Sequence, residues 1–180
     1  MECKLCESAS HYNPRLIGEN SDKTKLMIVL HRADRRISEY LEGYWGALAN
    51  SATGTILDKM LKRAALDLSD IYLTNLFKCL LPEDRHPKRQ EYRNCLSVFE
   101  RQVGEFHPRG MVVFGNEPYK HIFPEQSGEI KIADLGRELS YQGTPVLVSI
   151  HPSQIWKKRN PQLQEPYIKR VADFLTKYKS

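Results

Sequence analysis

Leu26-Met27-Ile28-Val29-Leu30 is the stretch that decides the fold. An unbroken apolar run of this length, with Ile and Val inside it, reads as a strand buried on both faces, the kind found in a parallel sheet covered by helices. The pattern alternates outward from there. Gly54 to Leu66 spaces Ile56, Leu57, Met60, Leu61 and Ala64 at helical intervals, as an amphipathic helix does. Ile71–Thr74 is a short β-rich segment, and Met111–Phe114 and Val146–Ile150 are two more. The charged stretch from Lys88 to Phe106 puts Tyr92, Cys95, Leu96, Phe99 and Val103 on one helical stripe. A last helix from Pro166 to Tyr178 carries Ile168, Val171, Ala172 and Leu175. Strands separated by helices predict an α/β fold, with a parallel sheet between two helical layers. Ligands of such folds bind at the C-terminal strand ends. That singles out His31–Asp34, Asn75–Cys79, Gly115–Asn116 and His151–Ser153.

The chain has 180 residues, which predicts one domain over 1–180. Its 41% hydrophobic and 27% charged residues exclude wholesale disorder. The longest apolar runs fall far short of the roughly 18 residues a membrane helix needs. Met1–Ser10 has Cys, Lys, Cys and Glu where a secretory signal needs an apolar core, so an intracellular, cytoplasmic protein with no membrane partner is expected. The net charge is +5, and the cations are clustered: Arg32, Arg35 and Arg36; then Arg85, His86, Lys88 and Arg89; then Lys157, Lys158 and Arg159. Each cluster adjoins a proline, a turn signal or a strand end and is expected on a loop. One such run is usually a solvated face, but three on a small domain fit a surface that contacts phosphates. Nucleic acid is the expected partner.

Four cysteines complete the pattern: a C-x2-C pair, Cys3 and Cys6, with Cys79 and Cys95 far downstream. In an intracellular chain they point to metal or redox chemistry before disulfides. Spacing alone leaves an iron–sulfur cluster, a structural zinc and unligated buried thiols open.

The same cysteines carry a resemblance to the iron–sulfur (family 4) uracil-DNA glycosylases. It continues through Tyr72-Leu73-Thr74-Asn75-Leu76-Phe77-Lys78-Cys79, similar to the family's Y-x-T-N-x-x-K-C, and through Pro82, Arg85, Pro87, Glu91 and Cys95. Gly54 to Leu61, Phe114-Gly115-Asn116 and His151-Pro152-Ser153 extend it, in order, over roughly residues 3 to 156. The resemblance implies a four-stranded parallel sheet. It implies a 4Fe–4S cluster on Cys3, Cys6, Cys79 and Cys95, with a scaffolding role. It also implies a monomeric, nucleoid-associated hydrolase that flips a damaged or modified base from DNA and cleaves its N-glycosidic bond.

On that reading His151 stabilises the departing base, Asn75 reads the base edge, and Ser153 holds a phosphate. Gln154 to Lys158 resembles the loop that enters the minor groove. Ile155 and Trp156 supply the wedge there, and Lys157 and Lys158, together with Arg85 and Lys88, contact the backbone. The family's first catalytic motif, G-E-A-P-G, is replaced here by Leu30-His31-Arg32-Ala33-Asp34. His31 or Asp34 is then the candidate for handling water, and Tyr44 or Trp45 for stacking on the base. These departures all surround the pocket, so the target is uracil or a bulkier modified pyrimidine. A catalytically silent iron–sulfur DNA-binding protein of the same fold is the alternative. The retained His151 argues against it, because a mere binder has no use for that imidazole.

Overall fold

The computed structural model describes residues 3, 5–7, 24–32, 48, 50–79, 81, 83 and 85–180. Strand β1 (Leu26–Arg32) is followed by helix α1 (Ala52–Arg63), β2 (Ile71–Phe77), α2 (Arg89–Phe106) and β3 (Gly110–Phe114). Then come α3 (Asn116–Ile122), β4 (Arg137–Tyr141), β5 (Thr144–Ser149), α4 (Pro152–Lys158) and α5 (Pro161–Tyr178). The sheet order is β2-β1-β3-β5-β4. All but one of its pairings are parallel: β1 with β2, β1 with β3, and β3 with β5. Helices α1, α4 and α5 pack on one another as one layer, and α2 and α3 as another. The deciding stretch is buried from Leu26 to Leu30, as a central strand between two covered faces must be.

The expected sheet of four parallel strands is corrected by a fifth. Strand β4 runs antiparallel to β5, with Arg137 opposite Val148 and Tyr141 opposite Thr144. Its sequence, Arg-Glu-Leu-Ser-Tyr, alternates half-buried and exposed side chains and has no apolar run to betray it. The two-residue turn that makes the hairpin is Gln142-Gly143, with φ of 50° and 83°. Both signs suit the tight primed turn that hairpins favour, but Gln is not one of its usual signals. The sheet is therefore mixed, with the four anticipated strands forming its parallel part.

Local chemistry sets the helix starts. Ser51 caps α1 by accepting the Gly54 N–H at 3.0 Å, so the helix opens at Ala52, two residues before the expected start at Gly54. Helix α5 opens at Pro161 and not at Pro166. Asn160 caps it through the Gln162 N–H at 2.9 Å, and Pro161 occupies the first helical position, where its missing N–H costs nothing. The short helices α3 and α4 had no sequence signature of their own. Among the described residues, no helix is long and apolar enough to cross a membrane.

Candidate active site at the strand ends

The C-terminal ends of β1, β3 and β5 bring His31, Gly115 and His151 to one edge of the sheet. His151 ends the segment after β5 and is the N-cap of α4. Its Nδ1 accepts the Ser153 N–H at 3.3 Å and lies 2.8 Å from the Ser153 hydroxyl. A backbone N–H can only donate, so Nδ1 is the acceptor and the ring proton sits on Nε2. Burial pushes the His151 pKa down to about 4, and nearby Lys157 adds to the effect. At neutral pH the ring is therefore an uncharged donor through Nε2–H. Gly115 makes the turn beneath it with φ of +99°, a conformation side chains rarely adopt, and a Cβ there would lie 3.7 Å from the His151 Cβ.

His31 is held differently. Its Nε2 lies 2.5 Å from the hydroxyl of Tyr92, which projects from the first turn of α2. Burial again lowers the ring's pKa to about 4, helped by the charges of Arg32, His151, His86 and His121. Tyr92 is pushed up to about 12, chiefly by burial and then by Glu117, so its hydroxyl keeps its proton. The Tyr92 ring stacks on His121 of α3 with centroids 4.0 Å apart and planes at 19°, and Phe77 meets it at 5.8 Å. Sequence reasoning found His31 but missed both partners. Tyr92 read as part of the buried stripe of α2, and His121 sits in a helix the sequence did not announce.

Asn75 lies on β2 opposite Leu30 of β1 and is fully buried. Its carbonyl accepts from the ammonium of Lys78, which also donates to Thr74 Oγ1 at 2.8 Å and Gln102 Oε1 at 2.7 Å. Gln102 in turn donates to the Tyr72 hydroxyl at 2.9 Å. Burial pulls the Lys78 pKa down to about 7, partly offset by Cys95. All its N–H donors are thus engaged by acceptors on β2 and α2. The sequence motif contained Lys78, but nothing in its spacing revealed that role.

Cys79 and Cys95 are buried, while Cys3 and Cys6 are partly exposed, and all are free thiols. Burial and then the other three cysteines push Cys79 up to about 12, and Cys95 is raised to about 11 for similar reasons. The four sulfurs therefore sit within electrostatic range of one another. Asn94, one position before Cys95, donates to the Leu5 carbonyl at 2.7 Å and ties the N-terminal pair to α2. Among the described residues, no three Cys, His, Asp or Glu side chains are grouped closely enough to hold a single metal ion.

The expected DNA contacts separate into two groups. Trp156 is 39% exposed, and Lys157 and Lys158 are exposed beside it at the end of α4. Lys88 is exposed, although its backbone N–H is held by Glu91 Oε2 at 2.6 Å. Ser153 spends its hydroxyl on His151. Two expectations are corrected. Ile155 has no exposed surface, because α4 turns it into the core against α1, so it is no wedge. Arg85 grips Glu91 with both guanidinium nitrogens, at 2.9 and 2.7 Å, and also bonds the His86 carbonyl. It clamps the loop that leads into α2, so the terminal nitrogens expected on a phosphate are engaged within the protein. Asp34, Tyr44 and Trp45 lie outside the described residues.

A neutral imidazole donor after β5, a buried amide on β2 and an exposed cationic helix end offer groups suited to an anionic leaving group on a polyanionic substrate. Comparison with known proteins agrees. The chain belongs to the uracil DNA glycosylase superfamily, whose family model matches residues 18–175. It is similar to the type-4 uracil-DNA glycosylase of Pyrobaculum aerophilum, 25% identical over 96% of this chain and 87% of that protein. The type-4 uracil-DNA glycosylase of Archaeoglobus fulgidus is 25% identical over 93% of this chain and 83% of its own length. That of Thermotoga maritima is 21% identical over 91% and 82%.

Proposed function

We propose that the protein is a monofunctional DNA N-glycosylase that hydrolyses the bond between deoxyribose and a flipped-out pyrimidine, uracil or a bulkier modified one, leaving an abasic site. The observation that carries this reading is the His151 ring, neutral and with its proton held on Nε2 by the Ser153 N–H. When the C1′–N bond breaks, its electron pair stays on the base. A fixed neutral donor aimed at that growing negative charge lowers the barrier, typically raising the rate by about a hundredfold to a thousandfold. Asn75 offers donor and acceptor on one planar group, which suits a base edge. Water adds to C1′ and its proton leaves with the base or solvent; the sequence offers two candidates to orient it, His31 and Asp34. The engaged donors of Lys78 favour hydrolysis over Schiff-base chemistry. Trp156, Lys157 and Lys158 form the DNA-contacting end.

The reading includes a 4Fe–4S cluster on Cys3, Cys6, Cys79 and Cys95. The donor set supports it: four thiols in mutual electrostatic range, drawn together by the Asn94–Leu5 bond. Each thiolate of such a cluster holds its own iron, so the sulfurs stand further apart than the ligands of one zinc ion. When bound, the group supplies rigidity, pinning the N-terminus to β2 and α2. Purified anaerobically, the protein should be brown and carry iron. Zinc in its place overturns the cluster, and Cys95→Ser should lower folding yield more than intrinsic rate. The function is tested with a panel of oligonucleotides carrying uracil and modified pyrimidines, scored for abasic sites. Release of any one base supports the reading. Tight DNA binding with no base released across the panel replaces it with the silent binder.

A further inference from the structure

We propose that Tyr92 is a positioning residue that fixes the tautomer of His31, leaving its Nδ1–H as a second hydrogen-bond donor at the pocket, and that His31 thereby contacts the base and not the water. This rests on the glycosylase reading for its substrate, but the hydrogen bond itself does not. Two neutral rings meet here through one short contact, His31 Nε2 to the Tyr92 hydroxyl at 2.5 Å. Only one proton can lie between them. Between a phenol and a neutral imidazole, the phenol hydroxyl is the stronger donor and the bare ring nitrogen the stronger acceptor, so a short contact of this kind favours O–H···N over N–H···O. The hydroxyl therefore donates, Nε2 accepts, and the His31 proton sits on Nδ1.

The hydroxyl is well placed to impose this choice because its ring cannot swing. His121 stacks on one side at 4.0 Å and Phe77 tilts against it at 5.8 Å, while His31 lies nearly parallel at 12°. The clamp holds together four chain segments: the end of β1, the end of β2, the first turn of α2, and α3. His31 and His151 are near enough that a charge on one is felt at the other. The site then holds two uncharged N–H donors, Nδ1–H of His31 and Nε2–H of His151. Such a pair suits a departing pyrimidine anion whose charge spreads over two carbonyl oxygens. An imidazole with its proton on Nδ1 has no free lone pair for water once Nε2 is taken, so activation of water falls to another group.

The test uses the full-length protein labelled with 15N-histidine, its imidazole two-bond correlations recorded near neutral pH. His31→Asn assigns the ring by the signal it removes. Wild type should show His31 protonated on Nδ1, and Tyr92→Phe, which keeps the stack and loses only the hydroxyl, should move it towards the Nε2 form. A His31 ring protonated on Nε2 in wild type, or one unmoved by Tyr92→Phe, overturns the proposal. Activity supplies a second arm, because an Asn amide nitrogen mimics Nδ1 and a Gln amide nitrogen mimics Nε2. His31→Asn should keep at least about tenfold more of kcat than His31→Gln, roughly one neutral hydrogen bond; the reverse order overturns the base contact. Should the wild-type protein release no base, the glycosylase reading fails alone, and the spectrum still decides the tautomer.

Discussion

His151 and His31 stand at the ends of β5 and β1, on either side of β3, both half-buried and both neutral, yet they are held in opposite ways. His151 is oriented by its own helix: Ser153, two residues on, supplies both the backbone N–H and the hydroxyl that face Nδ1. His31 is oriented from 61 residues away by a tyrosine on α2, itself braced by α3. A contact made within a tripeptide survives wherever the tripeptide does. One assembled from four segments exists only once they have come together in the fold. The two should fail differently.

The largest expected effect is at His151. His151→Ala removes the proposed donor outright, and kcat for base release should fall by about a hundredfold to a thousandfold. Affinity for abasic-site DNA should change little, since the cationic end of α4 is untouched. Single-turnover kinetics with a binding titration separate the two. Tyr92→Phe leaves the imidazole in place and loses only its orientation, so its rate loss should be smaller than that of His31→Ala. Equal losses in the two variants would break the contrast, because Tyr92 would then act in its own right.

The same contrast explains what could be read from the sequence. His151-Pro152-Ser153 and the segment from Tyr72 to Cys79 are contiguous, so their chemistry is written in adjacent letters. Buried strands β1, β3 and β5 announced themselves as apolar runs for the same reason. Strand β4 did not, because an edge strand alternates polar and half-buried residues and gets its pairing from β5. Ile155 shows the opposite failure. Beside an exposed tryptophan it looked like a wedge, and only the helical turn of α4 reveals that it faces the core. Arg85 read as a phosphate contact because Glu91, six residues on, gave no local sign of pairing with it. The stack of His31, Tyr92 and His121 was beyond reach, since no spacing links a strand end to two separate helices.

Asn75 comes next in size. It is buried within β2, and the Lys78 ammonium holds its backbone carbonyl in place. Asn75→Ala should cut discrimination between the preferred base and its competitors by about 1–3 kcal/mol, the worth of one good bidentate base contact. DNA affinity should be nearly unchanged. Competition between two modified oligonucleotides in one reaction reads the ratio directly. A uniform loss across bases would make Asn75 a structural residue of the strand.

Acid should act on both imidazoles together. In the fold each stays neutral down to about 4, whereas in the unfolded chain each takes up a proton below its ordinary 6.5. The unfolded state thus binds more protons between those values, so stability falls as pH drops from 6.5 and levels off near 4. Each ring contributes a slope of up to about 1.4 kcal/mol per pH unit. His31→Asn and His151→Asn should each flatten the urea-midpoint profile over this window by a similar amount. If only one of them does, the other ring is already protonated in the fold.

The smallest effect belongs to the exposed end of α4, where Trp156, Lys157 and Lys158 stand in solvent. Each lysine that contacts a phosphate should contribute about 0.7–0.9 to the log–log slope of affinity against salt. The double variant Lys157→Ala/Lys158→Ala should therefore bind DNA more weakly at low salt and converge on wild type at high salt, with the rate on saturating DNA preserved. Trp156→Ala should behave otherwise, because an apolar wedge displaces no counterions: its slope should match wild type while base flipping slows. Arg85 is the internal control, since its guanidinium is occupied by Glu91. Arg85→Ala should lower thermal stability and leave the salt slope alone. If the slope falls with Arg85 and not with the two lysines, DNA lies across the loop before α2, and the proposed placement of the strand on α4 is wrong.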